Sequence, residues 1–204
     1  MNNQQYIQNR PSWDHTFMTM AYELAKRSHD CQTQHGSIII NDRKQILGSG
    51  YNGFIKGIDD EKLPNTRPEK YPWMIHSEIN ALLNCEHRPV GATIYVTGHP
   101  CLHCYQCLYQ AGISTIIYDA RPERNAVMID EEMMDNIRKL EELIAGRILK
   151  IPYYYQEENK IHQNIELDYG EIVRNIMEYP INTIVFKAEN KISENKYNIE
   201  IDPT

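Results

Sequence analysis

The chain has 204 residues, a formal net charge of -7, 41% hydrophobic residues and 24% charged ones. That is long enough for one ordinary domain with a full core, or for a domain with a substantial appendage, so no metal is needed to replace a missing core. The acidic balance argues against a nucleic-acid partner, whose backbone is normally held by basic surface, although a single basic pocket can still take a small anion. No apolar run approaches the roughly 20 residues that span a bilayer. The opening stretch "MNNQQYIQNRPSWD" has neither the basic end nor the apolar segment of a signal peptide. A cytoplasmic protein without membrane contact is expected, and in that reducing compartment five cysteines read as free thiols or metal ligands rather than disulfides.

Residues 13–29 carry Trp13, Phe17, Ala21, Leu24 and Ala25 at helical spacing and predict an amphipathic helix. "SIII" and "QILGSGY" predict a hairpin across the turn "NDRK". From Asn52 to Trp73 the composition turns to Gly, Pro and charge, which predicts a long loop of the kind that usually serves function. "HSEINALLN" resumes helical spacing through Ile79, Leu82 and Leu83, and "GATIYVTG" reads as a strand. "PCLHCYQCLYQAG" reads as a helix opened by Pro100 and closed by Gly112, and "ISTIIY" as another strand. Strands alternating with helices predict an α/β layer structure. Further on, "DEEMMDNIRKLEELIAGRI" predicts a helix, and "INTIVFKAEN" and "NKYNIEIDP" two strands around a polar turn. Residues 1–150 are expected to form the main domain and 151–204 a C-terminal extension packed on it, with Tyr153, Tyr154 and Tyr155 serving to pack.

Two segments carry the chemistry, "HSE" at 76–78 and "PCLHC" at 100–104. Three residues apart on a helix, Cys101 and Cys104 share a face and can reach one ion. Pro100 would place Cys101 in the first turn, where the helix dipole favours thiolate. His76 would be a third ligand, and three protein ligands around tetrahedral zinc leave a position for catalysis. Glu78, two residues after His76, does not share its helix face, so it reads as a carboxylate aimed at water rather than as a further ligand. A lone C-x-x-C also fits structural zinc or coincidence. Cys107 repeats the spacing with Cys104 but lacks the proline-led start, and His103 is off the shared face. Cys31 and Cys85 have no close cysteine partner and are expected as small buried residues. H-x-E followed by P-C-x-x-C is the signature of the zinc deaminases.

From about Trp13 to Tyr118 the chain resembles the dCMP deaminases of the cytidine deaminase superfamily, through "FMTMAYELAKRSHD", "GSGYNG", "DDEKLP", "KYPWMIHSEINAL" and "QAGISTIIY" in the same order. The resemblance implies a three-layer α/β/α sandwich with a central mixed five-stranded sheet and a C-terminal extension. It implies zinc held by His76, Cys101 and Cys104, with Glu78 as proton shuttle in the hydrolysis of dCMP to dUMP and ammonia for thymidylate synthesis. It also implies dCTP as activator and dTTP as inhibitor, magnesium accompanying the triphosphate, and a homo-oligomer, either hexamer or dimer. By similarity Asn52 would hydrogen-bond the sugar, backbone around Ser77 and Pro100 would read the cytosine edge, and Tyr118 would lie near the nucleotide. Arg27 is the chosen partner of the 5'-phosphate, which a guanidinium grips through two hydrogen bonds; Arg67, Lys70 and Lys56 are further candidates. The plainer alternatives are an exposed helix-terminal arginine at Arg27 and an Asn-Gly turn at Asn52.

The chain departs from the family pattern in having "HSE" for His-Ala-Glu, "HGS" at 35–37 for Val-Gly-Ala, and no proline after "NG". Rival readings are a deaminase of dCTP, of a free nucleoside, of tRNA or of single-stranded DNA, and a non-catalytic zinc-stabilised module. A nucleic-acid substrate would favour basic grooves and stacking aromatics, which a sequence pI near 5.6 does not suggest. A purely structural zinc has no use for Glu78.

Overall fold

The structure is a computed structural model and describes residues 10–121, 131–144, 147–155, 167–168, 186–193 and 196–201. The chain divides into two compact units, Pro11–Glu157 on one hand and Met1–Arg10 with Glu158–Thr204 on the other.

In the larger unit Ser12 caps helix α1 (Trp13–Ala25), its hydroxyl accepting from the backbone N–H of His15 at 3.1 Å. Phe17, Met18, Ala21 and Ala25 form the buried face, while Trp13, expected on it, is 55% exposed and stacks on Phe17 at the rim. The helix stops at Ala25 rather than His29. Strands β1 (Gly36–Ile40) and β2 (Ile46–Tyr51) form the expected antiparallel hairpin. The loop that follows contains two short 3-10 turns, Asp60–Lys62 and Tyr71–Trp73, and returns through a bridge between Gly53 and Ile75. Helix α2 (Ser77–Leu83), strand β3 (Thr93–Val96), helix α3 (Leu102–Ala111) and strand β4 (Thr115–Asp119) come next, then helix α4 (Glu131–Ile144) and strand β5 (Leu149–Tyr153).

The five strands make one mixed sheet in the order β2-β1-β3-β4-β5, antiparallel on either side of β1 and parallel from β3 to β5. β5 runs across residue 150, the boundary expected from the sequence, and its unit continues to Glu157. It holds Pro152, which an edge strand tolerates because one side of it makes no ladder.

Both faces of the sheet are covered, which is why β1 is buried along its whole length and carries three consecutive isoleucines rather than an alternating pattern. Ile39, Ile94, Val96 and Ile116 meet Ala81 of α2 and Tyr105 and Leu108 of α3 on one face. Ile38, Ile40, Tyr95 and Ile117 meet Phe17, Met18 and Ala21 of α1 on the other. Each such Ile or Leu taken from water contributes on the order of 2 kcal/mol. Tyr155 is buried with the α1 face, Tyr153 packs partly against it and Tyr154 is exposed. The chain has the α/β sandwich inferred above, seen as helices on both faces of the mixed sheet.

Two glycines set how closely the helices approach. A Cβ on Gly50 would collide with the backbone of Ser77 and Ala81, and one on Gly36 with the backbone of Ala21. α2 therefore lies directly on β2, with its first residue against the sheet, and this fixes where His76 and Glu78 stand.

In the smaller unit β6 (Leu167–Asp168), β7 (Phe186–Ser193) and β8 (Lys196–Ile201) form an antiparallel sheet in the order β6-β8-β7. The pair β7–β8 matches the two strands predicted there, except that residues 181–185 of the first and 195, 202 and 203 of the second lie outside the described residues. Among the described residues no helix is long and apolar enough to cross a membrane.

Candidate active site

Two helix starts bring the motifs together. His76 is the N-cap of α2 and Cys101 the N-cap of α3, both in extended backbone conformation and neither using its side chain to cap the helix. Pro100 therefore sits before the cap rather than opening the helix, and Cys101 stands one step earlier than the first-turn position expected for it. At the cap, Cys101 Sγ stands beside Cys104 on the first turn. Gly112, with φ +92°, closes α3 as predicted.

His76, Cys101 and Cys104 present their ligand atoms within 4.8 Å of one another. His76 Nδ1 lies 3.5 Å from Cys101 Sγ and 3.3 Å from Cys104 Sγ. Tetrahedral zinc with bonds of about 2.3 Å to sulfur and about 2.0 Å to nitrogen sets nitrogen and sulfur about 3.6 Å apart, so this donor set fits zinc closely. The hydrogen bond from Cys104 holds the Cys101 thiol down to about 4, with His76 adding to the effect. A separate hydrogen bond between His76 and Cys101 raises His76 to about 9, while the hydrogen bond that Cys104 gives Cys101, together with burial, pushes the Cys104 thiol well up. Three donors sharing protons in this way form a site suited to a cation, which removes the repulsion between thiolates.

Cys107 belongs elsewhere: its Sγ faces His103 Nε2 at 3.8 Å, on an exposed part of α3. Cys85 is half-buried and its thiol points to the Ala81 carbonyl at 3.4 Å. Cys31, expected to be buried, is exposed, because the chain has left α1 and runs over the surface there.

Beside the cluster Glu78 is only 5% exposed, and burial pushes its carboxyl above the ordinary carboxylate range against the pull of His76. Ser77 Oγ donates to Glu78 Oε2 at 3.0 Å. Glu78, His76, Ser77 and Cys101 line a cleft that opens to solvent. Its remaining lining includes Asp30, His35, Asn52, Arg67, Lys70 and His99.

The residues expected from sequence to touch substrate stand differently relative to the cleft. Arg27 is exposed just beyond α1 and is not part of the cleft lining. Lys56 is likewise exposed and outside it, whereas Arg67 and Lys70 line it. Lys70 is spent on Asp30, with Nζ to Oδ1 at 2.5 Å and Oδ2 at 2.6 Å, both residues 2% exposed. Arg67 contacts the Thr33 hydroxyl, its buried Nε has no hydrogen-bond partner, and no carboxylate pairs with it among the described residues. An unanswered guanidinium N–H in a cleft is the better anion site.

Asn52 does line the cleft, but its side chain is engaged within the protein. Nδ2 donates to Asp30 Oδ2 at 3.3 Å and to the Thr33 carbonyl at 2.9 Å, and Oδ1 accepts from the His35 N–H at 2.8 Å. Only the second lone pair of Oδ1 is left for a ligand. Tyr118 is not in the lining; it meets His99 edge-on at 4.7 Å and so stands behind it. Pro100 is buried outside the lining, with its carbonyl 2.8 Å from His99 Nδ1. His99 is thus a lining residue that sequence reasoning missed, although it directly precedes the motif. Burial and the neighbouring Lys150, 3.3 Å from Nε2, hold it down to about 4, so it is neutral at neutral pH.

The family described as "Cytidine and deoxycytidylate deaminase zinc-binding region" matches residues 11–120. The deoxycytidylate deaminase of Mus musculus is 35% identical over 144 residues, covering 67% of this chain and 73% of that protein. That of Pongo abelii is 34% identical over the same length, with the same coverage. Among solved structures, the dCMP deaminase of cyanophage S-TIM5 in complex with dCMP and dUMP is similar in fold, with a TM-score of 0.53 and 22% identity over 71% of this chain and 98% of that one. The chain belongs to the cytidine and deoxycytidylate deaminases, a family of hydrolytic deaminases.

Proposed function

We propose that the cleft converts dCMP and water to dUMP and ammonia, with zinc held by His76, Cys101 and Cys104. The observation that carries the reading is a buried carboxylate, Glu78, beside a zinc-fitting His-Cys-Cys cluster in a cleft that also offers an unpaired guanidinium. Zinc supplies Lewis acidity when bound, bringing the pKa of a water from about 16 towards ~7. Glu78 takes the proton of the water that attacks C4 of cytosine and passes it to ring N3. It then carries the second proton to the departing amine, so that one carboxylate serves in turn as base and acid. Its burial supports the role of base, since a carboxyl raised above the ordinary range accepts a proton more readily than an exposed one. Backbone of Ser77, which lines the cleft, reads the cytosine edge, and the remaining lone pair of Asn52 Oδ1 accepts from the sugar.

Arg67, rather than Arg27, receives the 5'-phosphate. Arg67→Ala is expected to raise KM for dCMP by about 10–100-fold, the worth of hydrogen bonds to a charged group. KM for deoxycytidine, which has no phosphate, should stay within about twofold. Steady-state kinetics on the two substrates checks this, and equal changes on both would return the phosphate to another residue. The family resemblance adds dCTP as activator, dTTP as inhibitor, magnesium with the triphosphate, a place in thymidylate synthesis and assembly into a hexamer or dimer.

A further inference from the structure

Ser37 on β1 and Ser77 at the start of α2 are 40 residues apart, and their hydroxyl oxygens meet at 2.8 Å. Both side chains are fully buried at 0% exposure. Ser77 has one hydroxyl hydrogen and gives it to Glu78 Oε2 at 3.0 Å, so in the contact between the serines Ser37 must be the donor. The order is Ser37 to Ser77 to Glu78, all in one direction. These are the same two places where "HGS" and "HSE" put serine against the family's alanine, and nothing in the spacing of the sequence announces that they touch.

We infer that Ser37 and Ser77 are positioning residues that hold the Glu78 carboxylate in the orientation from which it moves protons. The inference rests on the proposed role of Glu78. A Glu carboxylate turns readily about its last torsion, which has broad minima. A hydrogen bond from Ser77 pins Oε2 as an acceptor and favours Oε1, the oxygen not so engaged, for carrying the proton. Ser37 makes Ser77 a stronger donor, because each hydrogen bond in a chain polarises the next and water is excluded there. The serines only donate; no proton passes along them. If the pair were merely a way to bury two hydroxyls, its removal would alter stability and leave the chemical step alone.

The test uses zinc-loaded full-length chains carrying Ser77→Ala, Ser37→Ala, both together, or Glu78→Gln, with kcat and KM for dCMP, zinc content and thermal midpoint measured for each. Ser77→Ala is expected to lower kcat about tenfold, the worth of one hydrogen bond to a charged group, with KM within about twofold and zinc retained. Ser37→Ala should lower kcat less, by about threefold. The double variant should match Ser77→Ala in kcat while recovering thermal midpoint relative to it, because no hydroxyl is then left buried without an acceptor. An unchanged kcat in Ser77→Ala beside an inactive Glu78→Gln overturns this inference alone. So does a loss that follows KM or zinc content. Full turnover by Glu78→Gln, or none by the unaltered chain, overturns the role of Glu78 and the inference with it.

Discussion

Replacing Glu78 with Gln is expected to leave zinc in place and remove turnover by about 10²–10⁴-fold, the usual contribution of a positioned acid–base group. The exchange changes almost nothing in shape. An amide oxygen still accepts the hydrogen bond that Ser77 gives Oε2 at 3.0 Å, and the ligand set of His76, Cys101 and Cys104 is untouched. What is lost is a group that can take a proton and return it. In the charged protein, burial already disfavours the carboxylate, so removing its charge should not destabilise the fold. Zinc per chain and the rate of ammonia release, measured on one preparation, check the expectation. A variant within tenfold of the unaltered chain would remove Glu78 from the mechanism, and a variant without zinc would make it a structural partner of the metal.

Cys104→Ser is expected to lose both zinc and activity, whereas Cys107→Ser keeps both. The two thiols are one helical turn apart, but only Cys104 faces His76, at 3.3 Å and with 0% exposure. Cys107 faces His103 on an exposed part of α3. A serine hydroxyl at position 104 remains protonated where zinc requires an anionic donor, and with two ligands left the affinity collapses. Metal content after gel filtration separates the variants, with circular dichroism to show that Cys104→Ser is still folded. Loss of zinc from Cys107→Ser would mean that the wrong pair of the three evenly spaced cysteines had been chosen.

The convergence of His76, Cys101 and Cys104 was legible in the sequence because all three lie in two short segments at helix starts. There the local pattern of His-x-Glu and Pro-Cys-x-x-Cys already fixes which side chains converge, and the structure shifted Cys101 by only one position, from first turn to cap. The central strands were legible for a similar reason: burial on both faces leaves "SIII" and "TIIY" with consecutive apolar residues rather than an alternating pattern. β5 was not, since "LKIPY" is short and carries a proline that only its place at the sheet edge makes acceptable. The proposed anion contact was not legible either. Arg27 and Arg67 look alike in a sequence, and what separates them is that one lies exposed past α1 while the other stands in the cleft with an unanswered N–H. Asn52 lines the cleft, but its amide donors are used on Asp30 and Thr33, partners that spacing does not reveal. The contact between Ser37 and Ser77 depends on Gly50 letting α2 lie against the sheet, a relation across three segments of chain.

The central claim, that this site hydrolyses the amino group of dCMP, is tested most directly by giving the zinc-loaded chain dCMP, deoxycytidine, dCTP and tRNA in parallel and recording ammonia together with the product. The account predicts ammonia and dUMP in equal amounts from dCMP, with dCMP preferred over deoxycytidine, and nothing from tRNA. Ammonia from tRNA alone, or from none of the four, would contradict it.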